Sequence, residues 1–258
     1  MQPMIDHPQK LAPAEPRLQI LPWWFIVPDG PINVEFDRRV VLPAETADWQ
    51  PTHIDGVRVR ILEFDNRATP LLTAQVQLLK DRATANLGEN HPLEILIERG
   101  YIATRDELYD EGHYLRLPTA EAHLQQSLNL HAKNDRSAQL YVSAGQMLQT
   151  DTERRHIGTD DPQSWLPGPT PGTEVLPLHG HGTGNVMLIR WNEPTRFRPR
   201  LDPRGEELLV LRGTLHDEFA RYKQGCWLRN PESSWQTWGG DAGTVVYYKN
   251  GHFLDTLT

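Results

Sequence analysis

Residues 94–118 read EILIERGYIATRDELYDEGHYLRLP, and residues 207–231 read ELLVLRGTLHDEFARYKQGCWLRNP. Set 113 residues apart, the two stretches align without a gap. Glu94/Glu207, Leu96/Leu209, Arg99/Arg212, Gly100/Gly213, Tyr109/Tyr222, Gly112/Gly225, Leu115/Leu228, Arg116/Arg229 and Pro118/Pro231 coincide. Two further anchors flank each copy. Upstream stands W-x-P-x4-G, at Trp49, Pro51, Gly56 and again at Trp165, Pro167, Gly172. Downstream, Ala138–Gly145 is echoed by Thr244–Gly251. Ordered anchors in both halves predict two structurally equivalent domains, residues 31–150 and 151–258, behind an N-terminal arm over 1–30.

Short runs of β-branched and aromatic residues, broken by Pro, Gly, Asn and Asp, predict an all-β protein. Val57–Phe64 alternates as a half-buried strand does, and Val186–Trp191, Glu207–Leu211 and Thr244–Lys249 also read as strands. Helix signals are few: a short segment at Ala120–Leu130, and a single turn capped by Thr46. The polar stretch Thr150–Ser164 reads as the linker between the halves. The repeated glycines and Pro118/Pro231 read as turn and strand-end positions, which define fold and not chemistry.

The chain has 258 residues, a net charge of −8 and one cysteine. An acidic balance disfavours nucleic acid and anionic lipid as partners. A single thiol, Cys226, rules out an internal disulfide and any cysteine-rich zinc module, and fits a reducing cytoplasm. The N-terminus lacks the layout of a secretory signal, and the apolar run at Trp23–Val27 is too short to span a bilayer. The expectation is a soluble cytoplasmic protein.

Arg204–Gly213 (RGEELLVLRG), followed by Tyr222, Gly225 and Arg229-Asn230-Pro231, resembles the ChrR-like branch of the cupin superfamily. Tyr248-Lys249-Asn250-Gly251-His252 is similar to that branch's closing strand, and the W-x-P motifs to the first strand of its two-domain members. The resemblance runs from Arg39 to His252. It implies two tandem cupin domains, each a jelly-roll β-barrel with a pocket in its mouth. It also implies a divalent metal, such as Fe or Zn, held by H-x-H-x3-E and a later His. Some relatives cleave acetylacetone or acetophenone as dioxygenases, and others are regulatory modules on anti-sigma domains.

This chain departs from that ligand pattern. In the second half the positions fall on Arg200, Asp202 and Glu206, with Gln236 or Trp235 last. In the first half they fall on Leu87, Glu89, Leu93 and His123. A guanidinium repels cations and Leu offers no donor atom, so no metal and no other cofactor is expected. The expected function is a small-molecule-binding or regulatory protein with a degenerate metal site. The alternatives are a metal-free isomerase or lyase, or a dioxygenase with rearranged ligands. Whether the chain is an enzyme stays open.

The pocket candidates are Arg200, Asp202, Glu206, Gln236 and Trp235, with His123 and Glu89 in the first half. Arg200 suits an anionic ligand, or else closes an internal ion pair with Asp202 or Glu206. His123 beside Glu89 suits a base or an ordinary interior histidine. His179-Gly-His181 sits in a glycine-rich stretch that reads as a turn, Asp217-Glu218 as a solvated turn, and Cys226 as an inert buried thiol. Trp227, Trp235 and Trp238 line a ligand or close the core. Edge strands need cover, which a homodimer would supply.

Overall fold

The computed structural model describes residues 25–66, 71–79, 92–103, 108–118, 129–131, 137–148 and 150–251. Ten strands precede residue 150: β1 (Val40–Leu42), β2 (Gln50–Pro51), β3 (Val57–Asp65), β4 (Leu71–Leu78), β5 (Leu93–Arg99), β6 (Tyr101–Ala103), β7 (Leu108–Asp110), β8 (Tyr114–Leu117), β9 (Asn129–His131) and β10 (Ala138–Ala144). Then come β11 (Arg155–Ile157), β12 (Leu166–Pro167), β13 (Thr173–His181), β14 (Gly184–Trp191), β15 (Thr195–Arg196), β16 (Arg200–Asp202) and β17 (Glu206–Arg212). The chain closes with β18 (Thr214–His216), β19 (Arg221–Lys223), β20 (Trp227–Asn230), β21 (Ser234–Gln236), β22 (Gly239–Gly240) and β23 (Val245–Asn250). No helix among the described residues is long and apolar enough to cross a membrane.

Two seven-stranded sheets dominate. Their orders are β11-β8-β5-β10-β4-β3-β2 and β1-β20-β17-β23-β14-β13-β12. The two are one topology used twice, down to the register. Glu94 lies opposite Arg116 as Glu207 lies opposite Arg229. Each sheet takes its first strand from the other half of the chain: β1 extends the second sheet and β11 the first. Smaller sheets (β7-β6-β9, β15-β22-β18-β19 and β16-β21) complete the halves.

Strand alternation sends residues to two kinds of core. One face of the first sheet buries Val59, Phe64, Val76, Ile95, Leu140 and their neighbours, with Phe25 of the arm packed on Phe64. One face of the second buries Leu208, Val210, Leu228, Val246, Tyr248 and Trp238. The opposite faces meet back to back through Leu62, Leu96, Tyr114 and Tyr141 against Leu178, Leu188, Leu209, Trp227 and Tyr247.

Charged residues are embedded in that contact. Glu94 accepts Tyr114 Oη at 2.8 Å and Lys249 Nζ at 2.5 Å. Arg116 binds Asp151, whose carboxylate also meets His179 Nε2 at 2.7 Å. Arg229 binds Glu63, and Glu207 accepts Tyr141 and Trp227. Each of these buried charges therefore has an opposite charge or hydrogen-bond donors in reach, as low-dielectric surroundings demand.

Four local expectations are corrected. Thr46 ends the 3-10 turn Ala44–Thr46 instead of opening it; its hydroxyl donates back to Pro43 O at 2.9 Å. Asn129 and Leu130, expected as the end of a helix, lie in strand β9, paired with β6; residues 119–128 lie outside the described set. The stretch Thr150–Ser164 is no passive linker, because β11 joins the first sheet and Asp151 is buried by its bonds to Arg116 and His179. His179 and His181 belong to strand β13, with the turn beyond them.

Gly213 illustrates why the repeated glycines recur. Its φ is +75°, and a Cβ there would sit 2.7 Å from Thr244 Oγ1 and 2.8 Å from Thr244 Cα. Gly100, its counterpart, meets Ala138 Cβ at 2.5 Å. Gly213→Ala is expected to cost about 2 kcal/mol, from positive φ together with backbone crowding. A urea unfolding midpoint equal to that of the wild type would refute this.

Candidate functional site

Strand β17 begins at Glu206, flanked in register by Asn230 of β20 and Asn250 of β23. Its carboxyl is fully buried. Oε1 accepts Asn230 Nδ2 at 2.7 Å and Trp238 Nε1 at 2.8 Å. Burial pushes Glu206 up to about 7, and the nearby Asp202 carboxylate adds to the rise. The two N–H donors and Arg200 pull the other way without cancelling it. Near neutrality this group therefore exchanges a proton.

Arg200 and Asp202 stand two apart on β16 and so project to the same side. Arg200 is exposed at the rim and reaches Tyr248 Oη at 3.5 Å. Asp202 is buried. It accepts the Arg204 backbone N–H at 2.9 Å, Arg204 Nε at 3.3 Å and Asn250 Nδ2 at 3.3 Å. Burial alone would raise Asp202, but the bonds from Arg204 outweigh it and hold the carboxyl below its usual range. Tyr248 Oη lies 3.5 Å from Asp202 and accepts Asn250 Nδ2 at 3.1 Å, so a polar chain joins Arg200, Tyr248, Asn250 and Asp202. The ion pair described for Asp202 is with Arg204.

Backbone pairing sets Gln236 opposite Arg200 and Trp235 opposite Leu201. Trp235 is 63% exposed, and the side chain of Gln236 lies outside the described set. Beside them opens a cavity of about 310 Å³, whose walls include Arg39, Phe219, Asn230, Trp235, Thr237 and Trp238. Asn230 and Trp238 thus touch Glu206 on one side and line this cavity on the other.

Arg39 carried no signal in the sequence, being 178 residues from the aspartate it binds. It donates to Asp217 Oδ2 at 2.5 Å and Tyr222 Oη at 2.6 Å, and its guanidinium lies over the Phe219 ring at 4.8 Å. Asp217 is consequently not a solvated turn residue. Its side chain is buried and also accepts the backbone N–H groups of Phe219 and Ala220. Trp238 and Tyr248 close the core, and Trp227 packs between the two sheets. Cys226 is buried, and burial raises its thiol to about 11, so it is unreactive near neutrality.

In the first half, Leu93 is wholly buried in the core at the place where Glu206 stands in the second. Leu87, Glu89 and His123 lie outside the described residues.

Residues 153–254 match the ChrR cupin-like domain family. Similar solved structures include a protein assigned as glyoxylate-induced from Pseudomonas aeruginosa, with 11% identity, a TM-score of 0.65, and coverage of 90% of this chain and 95% of that one. A protein assigned as a dioxygenase from Nostoc punctiforme has 12% identity and a TM-score of 0.62, covering 83% and 82%. The pirin YhhW from Escherichia coli, in complex with nickel(II), has 9% identity and a TM-score of 0.55, covering 83% and 98%. At such identities they establish the cupin jelly-roll fold alone. No curated protein matches the chain.

The resemblance to ChrR-like cupins implies a metal at these positions, and the donor set here does not fit one. Glu206 already accepts two N–H groups, Asp202 is neutralised by Arg204, and Arg200 brings a fixed positive charge. Among the described residues no three His, Cys, Asp or Glu side chains converge as metal ligands.

Proposed function

We propose that the chain is a tandem cupin with a domain boundary near residue 150, which binds a small organic molecule, without a metal, in the mouth of its second half. The observation that carries this reading is the double N–H grip of Asn230 and Trp238 on Glu206, beside a rim arginine where cupins place a ligand histidine. In its neutral form Glu206 is a hydrogen-bond donor to a ligand oxygen. Arg200 suits a carboxylate on that ligand, and the exposed ring of Trp235 suits its apolar body. Regulatory sensing or metal-free proton transfer would both use this arrangement.

Two measurements test it on untagged, full-length protein. Elemental analysis is expected to find well under one Fe, Mn, Ni, Cu or Zn per chain; one tightly held ion per chain overturns the reading. A thermal-shift screen of small carboxylic acids is expected to yield at least one compound that stabilises the native state, with the shift lost in Arg200→Ala. A shift unchanged in that variant removes the anion grip.

A further inference from the structure

A larger hollow lies elsewhere, between the two big sheets. It measures about 1000 Å³ and takes its walls from both halves of the chain. Because the sheets repeat one topology, a residue on one sheet has a counterpart on the other. The register fixes the correspondence: Gln139 pairs with Arg99 as Val245 pairs with Arg212, and Ala74 with Val142 as Met187 with Tyr248. Counterparts are therefore Gln75 and Leu188, Glu98 and Leu211, Gln139 and Val245.

Every one of these three pairs sets a polar residue in the first half against an aliphatic one in the second. At these positions a hydrogen-bonding patch thus faces an aliphatic patch, while Arg190, Arg212 and Gln224 also line the second half's side. On the polar side, Gln75 Nε2 donates to Glu98 at 2.9 and 3.1 Å, and Gln139 Nε2 donates to it at 3.0 Å. The amide oxygens of the two glutamines face arginines: Arg60 donates to Gln75 at 3.0 Å and Arg99 to Gln139 at 2.7 Å. Trp49 and Trp165, the repeated W-x-P tryptophans, also line the space.

Charge decides the ligand class. Arg60 is buried, and its described acceptors are uncharged oxygens of Gln75, Gly225, Leu42 and Pro43. Arg99 and Arg212 add exposed guanidiniums at the edge. Glu98 is the carboxyl that acts most strongly on Arg60, and burial raises it to about 7, so it offsets these charges only in part near neutrality. Glu111 and Asp160 also border the space. An aliphatic patch (Leu188, Leu211 and Val245) opposite an amide-and-arginine face, with indole rings alongside, fits a flat molecule that is oily on one side and anionic on the other.

We infer that this inter-sheet hollow is a second binding site, for an amphipathic aromatic carboxylate, separate from the mouth that holds Glu206. The ring lies against Leu188, Leu211 and Val245, and the carboxylate turns toward Arg99 and the glutamine wall. Such a ligand would bridge the two halves and hold them together.

The probe is 2-naphthoate, titrated calorimetrically into the full chain. Saturable one-to-one binding is expected, weakened at least five-fold by Arg99→Ala and by Trp49→Ala. The uncharged analogue 2-naphthalenemethanol is expected to bind at least ten-fold more weakly. Arg99 is exposed, so its loss should leave the fold intact, which the unfolding midpoint checks. Crystals soaked with 6-bromo-2-naphthoate supply the location, and the bromine anomalous peak is expected beside Leu211. A peak only in the Glu206 mouth or on the outer surface overturns the inference. So does the absence of saturable binding, or equal affinity for the alcohol. Repeating the titration in Arg200→Ala removes any binding at the mouth, so failure of this inference and failure of the mouth reading are distinguishable.

Discussion

Arg229→Ala is expected to remove about 3–5 kcal/mol of stability, the range for stripping one partner from a buried ion pair. The guanidinium is wholly buried and binds the carboxylate of Glu63, the carbonyls of Asn33 and Glu35, and the face of Phe36 at 4.7 Å. Burial already raises Glu63 against the pull of Arg229. Without the arginine, that carboxyl must take up a proton or stay charged inside the sheet contact. The partners also span the halves: Glu63 is on β3, and Arg229 is on β20. The loss should therefore appear in urea as one earlier transition, not as separate melting of one half. Replacing both members, Glu63→Leu with Arg229→Met, is expected to regain most of the loss, since apolar packing can substitute for a buried pair. A single Arg229→Ala variant that unfolds within about 1 kcal/mol of the wild type would sink the argument.

The repeat makes Arg229 legible in the sequence, but not its partner. The offset of 113 marks Glu94/Glu207 and Arg116/Arg229 as structurally equivalent, and the register sets each glutamate opposite its arginine. Strand alternation and repeat spacing are local properties, so the all-β class and most strand positions follow from them. Partner choice is not local. Arg229 pairs with Glu63, whereas Glu207 takes the hydroxyl of Tyr141 and the indole of Trp227. His179 shows a signal that was present and missed. The spacing of Trp49 to Trp165 carries Glu63 onto His179, which makes the histidine a strand residue at the sheet contact and not part of a turn.

The same limit applies to the site. Arg200, Asp202 and Glu206 follow from the motif spacing, but the donors that define Glu206 come from β20 and from Trp238 beyond β21. Asn230 was visible between the repeated Arg229 and Pro231, though its side chain's aim was not. Arg39 and Asp217 meet only because β1 crosses to the second sheet, an exchange that no periodicity encodes.

Glu206→Gln is expected to change how stability depends on pH, because the native state holds this carboxyl at about 7 and the unfolded chain near its ordinary 4.5. The folded protein then binds the proton more tightly than the unfolded one, so stability falls as pH rises between those values. Glu98, also raised to about 7, slopes the same way. Glu94, held near 2 by Lys249 and Arg116 against the opposing effect of burial, acts below 4.5: its contribution is lost as pH falls toward 2. Stability should thus peak near pH 5 and decline toward pH 8. The introduced amide would still accept from Asn230 and Trp238 but cannot ionise, so Glu206→Gln should flatten part of that decline. Relative to the wild type it should gain about 2–3 kcal/mol at pH 8 and little or nothing at pH 4.5. Urea titrations of both proteins at pH 4.5, 6 and 8 measure this. Parallel curves across that range would mean that Glu206 is ionised in the native protein well below neutrality. The mouth would then offer a fixed anion in place of the proton donor that the proposed ligand recognition requires.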